Sequence, residues 1–199
     1  MRKSKVETAE TRRRIVEIAA EAFRANGIHA TGLADVMAAA GLSHGGFYRH
    51  FESKDQLVAE ACEAGTVSIL ESLENAAGAS VGAEGLRAVV DAYLSSAHRD
   101  APGAGCPLAG MGSELARGDE GTRAAASRSV EALVTLLASR TGDPQEKANR
   151  SQAVFALSAM IGALTVARIL NDPEASDALL SDVRQQIEAI APIEPIEPI

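Results

Sequence analysis

Between residues 33 and 54 the sequence leaves the backbone few choices. Leu33, Val36, Met37 and Ala40 recur at helical spacing and run into Gly41, a residue that takes the left-handed conformation at a helix end without steric cost. Ser43 follows, with a side-chain oxygen suited to capping a new helix, and then the dense run Phe47-Tyr48-Arg49-His50-Phe51. Two helices joined by a glycine-containing turn of roughly three or four residues make a helix-turn-helix. A fold containing one is built from packed helices, so this stretch sets the expectation for the whole chain.

The flanks agree. Ile15, Ile18, Ala19, Ala22 and Phe23 share one helical face, ended by Asn26-Gly27. Thr31 is placed to cap the second helix, and Ser53-Lys54-Asp55-Gln56 has the form of a capping box opening a long connector over residues 53–77. Val58, Cys62, Gly65, Ile69 and Leu73 form its expected buried stripe. After a small-residue loop from Gly78 to Gly85, Leu86, Val89, Val90, Tyr93, Leu94 and Ala97 point a further helix inward. Residues 100–105 are too rich in Gly and Pro to continue it, and Cys106-Pro107 starts the next.

Helical pattern returns from Leu108 to Arg117 and from Asp119 to Arg140, the latter with Val130, Leu133, Val134 and Leu137 on one stripe. Asp143-Pro144-Gln145-Glu146 is expected to open a helix that reaches Leu170, and Asn171-Asp172-Pro173 to open the last one. Its apolar face is Leu179, Val183, Ile187 and Ile190. No strand alternation of useful length occurs, which makes the chain all-α. Ala153 to Ala167 is its longest apolar run, shorter than the roughly 18 residues of a membrane span, so a buried helix and no membrane are expected. The closing Pro-Ile-Glu repeat, residues 191–199, is read as extended and disordered.

Charge sharpens the division. The net charge is −8, which argues against an indiscriminate polyanion binder. Residues 1–50 nevertheless hold eight Lys and Arg against five acids, while residues 51–199 hold eleven against twenty-two. A cationic head on an acidic body suits a protein that meets phosphate at one end only.

Arg14-Ile15, Ala19-Ala20, Phe23, Gly27, Thr31, Gly41-Leu42-Ser43, Gly45, Phe47-Tyr48-Arg49-His50-Phe51, Lys54 and Leu57 together resemble the N-terminal domain of the tetracycline-repressor-like (TetR) family of bacterial transcription regulators. The resemblance covers residues 10 to 60. It implies a three-helix helix-turn-helix DNA-binding domain (8–56) followed by a larger helical effector-binding and dimerisation domain (78–190). By the same resemblance, His44, Gly45 and Gly46 occupy base-facing positions next to Ser43. Tyr48, His50 and Lys54 lie against phosphates, and Thr31 is a further phosphate contact at a helix start. The two glycines have no side chain to donate, so His44 and Arg49 are expected to carry much of the base readout.

A homodimer on a palindromic operator, released by a small-molecule effector, is what the family mechanism implies. Tyr93, His98, Cys106, Met111, Phe155 and Met160 are the candidate effector-pocket residues, and Ser158, Gly162, Leu179, Val183 and Ile187 the candidate dimer contacts. No cofactor, metal site or catalytic group is expected: His29, His44, His50 and His98 show no zinc spacing. The two cysteines, with no signal peptide ahead of them, point to a reducing cytoplasm. Two other mechanisms have a foothold. Cys106, at a helix start, could gate the protein by thiol oxidation, and Gly41-Leu42-Ser43-His44-Gly45 spells a serine-hydrolase nucleophile elbow, which requires a preceding strand.

Overall fold

The computed structural model describes residues 5–189, and every described element is helical. The α-helices are α1 (Lys5–Asn26), α2 (Leu33–Ala39), α3 (Lys54–Ala77), α4 (Gly82–Tyr93), α5 (Ser96–Asp100), α6 (Pro107–Leu115), α7 (Glu120–Thr141), α8 (Lys147–Ile169) and α9 (Pro173–Ala189). Two short 3-10 helices lie between them, His44–Arg49 and Pro102–Ala104. The Pro-Ile-Glu tail lies outside the described residues.

The chain divides into two compact units. One holds the residues up to Ser68 together with Pro102–Ser129; the other holds Ile69–Ala101 and the residues from Val130 onward. The first unit thus takes α6 and the start of α7 alongside the N-terminal helices, a grouping that no sequence pattern announces. Its core is Ile15, Ala19 and Phe23 of α1, Val36 and Met37 of α2, Phe47, Phe51, and Leu57, Val58, Ala61 and Cys62 of α3. Apolar burial of this kind, at roughly 25 cal/mol per Å², supplies most of the driving force. In the second unit Leu86, Val89, Val90 and Tyr93 of α4 and Leu133, Val134 and Leu137 of α7 are buried, as are Leu157, Met160 and Leu164 of α8 and Leu180 and Ile187 of α9.

Several boundaries differ from the sequence expectation. α4 stops at Tyr93 and α5 restarts the chain at Ser96, because Ser95 accepts a hydrogen bond from His98 N at 3.1 Å and caps the new helix. Ala97 consequently faces solvent. α8 begins at Lys147 rather than at Pro144: Asp143 accepts from Gln145 N at 2.9 Å and from Glu146 N at 3.0 Å, closing a turn first. Val130, placed by periodicity on the buried stripe of α7, is exposed. As a whole α8 is long and apolar enough to cross a membrane by length and composition. In this fold it packs on α9 and α5, burying Ala153, Ala156, Leu157, Met160, Ala163, Leu164 and Ala167.

Candidate nucleic-acid interface

The recognition segment rests on a polar framework that ties α1, α3 and the loop before α2 together. Thr31 does not cap α2: Gly32 holds the N-cap position, and the buried Thr31 hydroxyl donates back to Gly27 O at 2.7 Å and Ala22 O at 3.3 Å, closing the end of α1. Lys54 joins it, its ammonium donating to Ile28 O at 2.6 Å and Thr31 O at 2.7 Å while standing 5.7 Å from the Phe23 ring centroid. Two of its three N–H groups are therefore engaged within the protein, where the sequence suggested phosphate. Ser53 does cap α3, accepting from Gln56 N at 3.0 Å, and the Gln56 amide reaches back to Glu52 N at 2.8 Å.

Two residues that no sequence pattern singles out complete the framework. Arg12 forms a bidentate pair with Glu60 of α3, donates through Nε to His50 O at 3.1 Å, and stacks its guanidinium 4.5 Å from the Phe51 centroid. Glu114 of α6 accepts from Ile28 N at 3.0 Å and His29 N at 2.8 Å, just past Gly27, whose φ of 86° places those amides on one side. Both are tertiary pairings between residues tens of positions apart, and no local motif records them.

On this base the chain turns at Gly41 (φ 70°), with Leu42 N donating to Met37 O at 2.9 Å. The recognition helix is a 3-10 helix over His44–Arg49, with Gly46 N to Ser43 O at 2.9 Å and His50 N to Phe47 O at 2.8 Å. Ser43 stands at its N-cap position without a side-chain capping bond, contrary to expectation. The weak helix propensity of Gly45-Gly46 suits this short, tight form. Phe47 and Phe51 are buried and stacked at 5.4 Å, whereas His44, Gly45, Tyr48 and Arg49 face solvent and His50 is half-buried. A Cβ added at Gly45 would meet nothing within 4 Å, and one at Gly46 only ordinary contacts, 3.6 Å from Met37 and 3.9 Å from Ser43. These glycines therefore leave an open surface over which another molecule's atoms can approach the backbone.

Residues 15–61 match the family model for bacterial regulatory proteins of the tetR family, and residues 82–183 the model for the tetracyclin repressor-like C-terminal domain. The chain belongs to the TetR family. An HTH-type transcriptional regulator of Mycobacterium tuberculosis is 31% identical over 192 residues, covering 91% of this chain and 96% of that one. Among solved structures, a TetR-family regulator from Cytophaga hutchinsonii superposes with a TM-score of 0.78 at 21% identity, covering 96% of this chain and 100% of that chain. One from Chloroflexus aurantiacus gives 0.68 at 27% identity, covering 92% and 95%. As a TetR-family chain the protein is a DNA-binding transcriptional regulator.

The remaining sequence-suggested residues of this TetR-family fold are divided between the two units. Tyr93 and His98 meet edge to face at 4.7 Å, and the His98 ring bonds the Tyr93 carbonyl at 2.7 Å, so Nδ1 carries the proton. Met160 is buried in the same unit, and Cys106 and Met111 are buried in the other. Phe155, suggested for the pocket, is 55% exposed on the outward face of α8. A partly open cavity lined by Leu86, Leu137, Ala156 and Ile187 measures about 10 Å³, room for roughly one water. Of the suggested dimer residues, Ser158 and Gly162 are exposed and Leu179 and Val183 half-exposed, but Ile187 is buried in its own protomer against that cavity.

Neither competing mechanism gains from the geometry. Cys106, the candidate for thiol gating, is buried, which restricts the access an oxidant or electrophile needs. The sequence Gly41–Gly45 follows α2, with no strand among the described residues, so the support that a nucleophile elbow needs is missing.

Proposed function

We propose that the protein is a homodimeric repressor whose two recognition segments read a roughly palindromic operator, and which a small-molecule effector in the C-terminal domain releases from DNA in the cytoplasm. The observation that carries this reading is the split character of the recognition segment. Phe47 and Phe51 anchor it, while His44, Gly45, Tyr48 and Arg49 are all presented outward. His44 and Arg49 are the side chains with donors to offer base edges, and the Tyr48 hydroxyl suits a phosphate oxygen.

The dimer is supported by α8. Val154, Phe155, Ser158, Gly162, Val166 and Ile169 are exposed on one outward face, and nothing lies within 4 Å of a Cβ added at Gly162. An apolar stripe with a small residue at its centre fits close approach by the same helix of a second copy across a two-fold axis. Two heads related by that axis fit half-sites about one helical turn apart, roughly 34–36 Å.

Selection of bound duplexes from a random pool, followed by footprinting of the enriched sequence, tests the reading. It predicts an inverted repeat protected on both half-sites. Enrichment of a single unrepeated site, or of none, contradicts it.

A further inference from the structure

Arg12, Arg13 and Arg14 place three guanidinium groups on one turn of α1, and the fold engages two of them. Arg12 is held by Glu60, His50 O and the Phe51 ring. Arg13 lies 3.6 Å from Glu17, one turn on along the same helix. Arg14 is exposed and has no hydrogen bond or ion pair among the described residues. Its Nη2 instead reaches the turn that feeds the recognition helix, 3.7 Å from where a Cβ on Gly41 would lie.

That position coincides with a need. Thr31 and Lys54, suggested by the sequence for the DNA backbone, direct their hydroxyl and most of their ammonium donors into the protein. A recognition helix carrying two glycines depends on backbone contacts to fix its register, because phosphate contacts position while base contacts specify. A guanidinium offers a planar fork that matches phosphate oxygens, and it stays charged at any working pH. We propose that Arg14 grips a DNA phosphate beside the recognition turn, one contact per protomer. This assignment rests on the placement of the recognition segment against DNA given above.

The test is a salt titration of binding by the full-length protein, to the selected operator and to a scrambled duplex, for the wild type, Arg14→Gln, Arg14→Lys and Arg13→Gln. Loss of one phosphate contact makes the slope of log K against log salt shallower by about 0.9 per protomer, which is about eightfold in affinity at 0.1 M salt. Arg14→Gln is expected to show that change on both duplexes, Arg14→Lys to keep the wild-type slope, and Arg13→Gln to match the wild type. Thermal melting of Arg14→Gln that coincides with the wild type assigns the loss to the contact and not to folding. Wild-type affinity and slope in Arg14→Gln overturn the proposal while the DNA reading stands, and so does a loss confined to the operator, the signature of a base contact. A wild-type protein that binds neither duplex overturns both, and that result appears before any variant is measured.

Discussion

Phe47 and Tyr48 are neighbours in the chain and meet edge to face, ring centroids 5.2 Å apart and planes at 84°, yet Phe47 is 0% and Tyr48 68% exposed. One ring anchors the recognition segment and the other is offered to the outside. The pair therefore separates folding from function at adjacent positions. Phe47→Ala removes a fully buried ring and is expected to cost about 3–5 kcal/mol of stability, lowering the denaturant midpoint and taking DNA binding with it. Tyr48→Ala is expected to leave the midpoint within about 0.5 kcal/mol of the wild type, as surface substitutions do, while weakening DNA binding. Equal destabilisation by the two substitutions would contradict this division.

A second close relationship joins α1 to α3. Arg24 is 7% exposed, donates through Nε to Gly103 O at 2.7 Å, and lays its Nη1 where a Cβ on Gly65 would stand. Gly65 is thus a space requirement and not a turn, since it sits mid-helix without a positive φ. Gly65→Ala gains helix propensity but must displace a buried guanidinium, and overpacking of this kind costs about 1–3 kcal/mol. Chemical denaturation of Gly65→Ala is expected to show a net loss, where an unobstructed helical glycine would show a gain.

His98 gives stability a pH dependence of definite sign. Burial lowers its pKa from 6.5, the Arg168 charge lowers it further, and the hydrogen bond to the Tyr93 carbonyl partly opposes both. Below pH 6.5 the unfolded chain therefore binds a proton that the native ring resists, so stability is lost as pH falls from 6.5 toward the folded value. The melting temperature is expected to drop between pH 7.5 and 5.5, and His98→Gln to flatten that drop. An unchanged pH dependence in His98→Gln would assign it to other groups.

The outward face of α8 gives a test of assembly. Phe155→Asp places a charge near the N-terminal end of the exposed apolar stripe, where a second copy would have to desolvate it. Sedimentation of this variant is expected to shift from dimer to monomer at micromolar concentration with helical content retained. A dimer that persists would move the interface elsewhere.

What could be read from the sequence follows the range of the interactions. The turn at Gly41, the anchors Phe47 and Phe51, the stripe Val58-Cys62-Ile69-Leu73 and the start of α6 at Pro107 are local or periodic signals, and all appear as expected. Thr31 was legible as a residue that satisfies a helix end, but not as one that faces backward: an exposed hydroxyl before α2 and a buried one closing α1 leave the same trace in sequence. That Lys54 spends two of its donors inside the protein is equally hidden, because the carbonyls that hold it come from a loop more than twenty residues away. Hydrophobicity alone makes Phe155 a pocket candidate, but the same property serves an interface between copies equally well.

The most direct measurement of the central claim is binding of the purified protein to the DNA upstream of its own coding sequence, against a scrambled duplex of the same composition, with and without Tyr48→Ala. The account predicts tight, salt-dependent binding to the upstream duplex, weaker by at least tenfold on the scrambled one, and lost in the variant while its melting curve is unchanged. Equal binding of both duplexes by the wild type, or full binding by Tyr48→Ala, would contradict it.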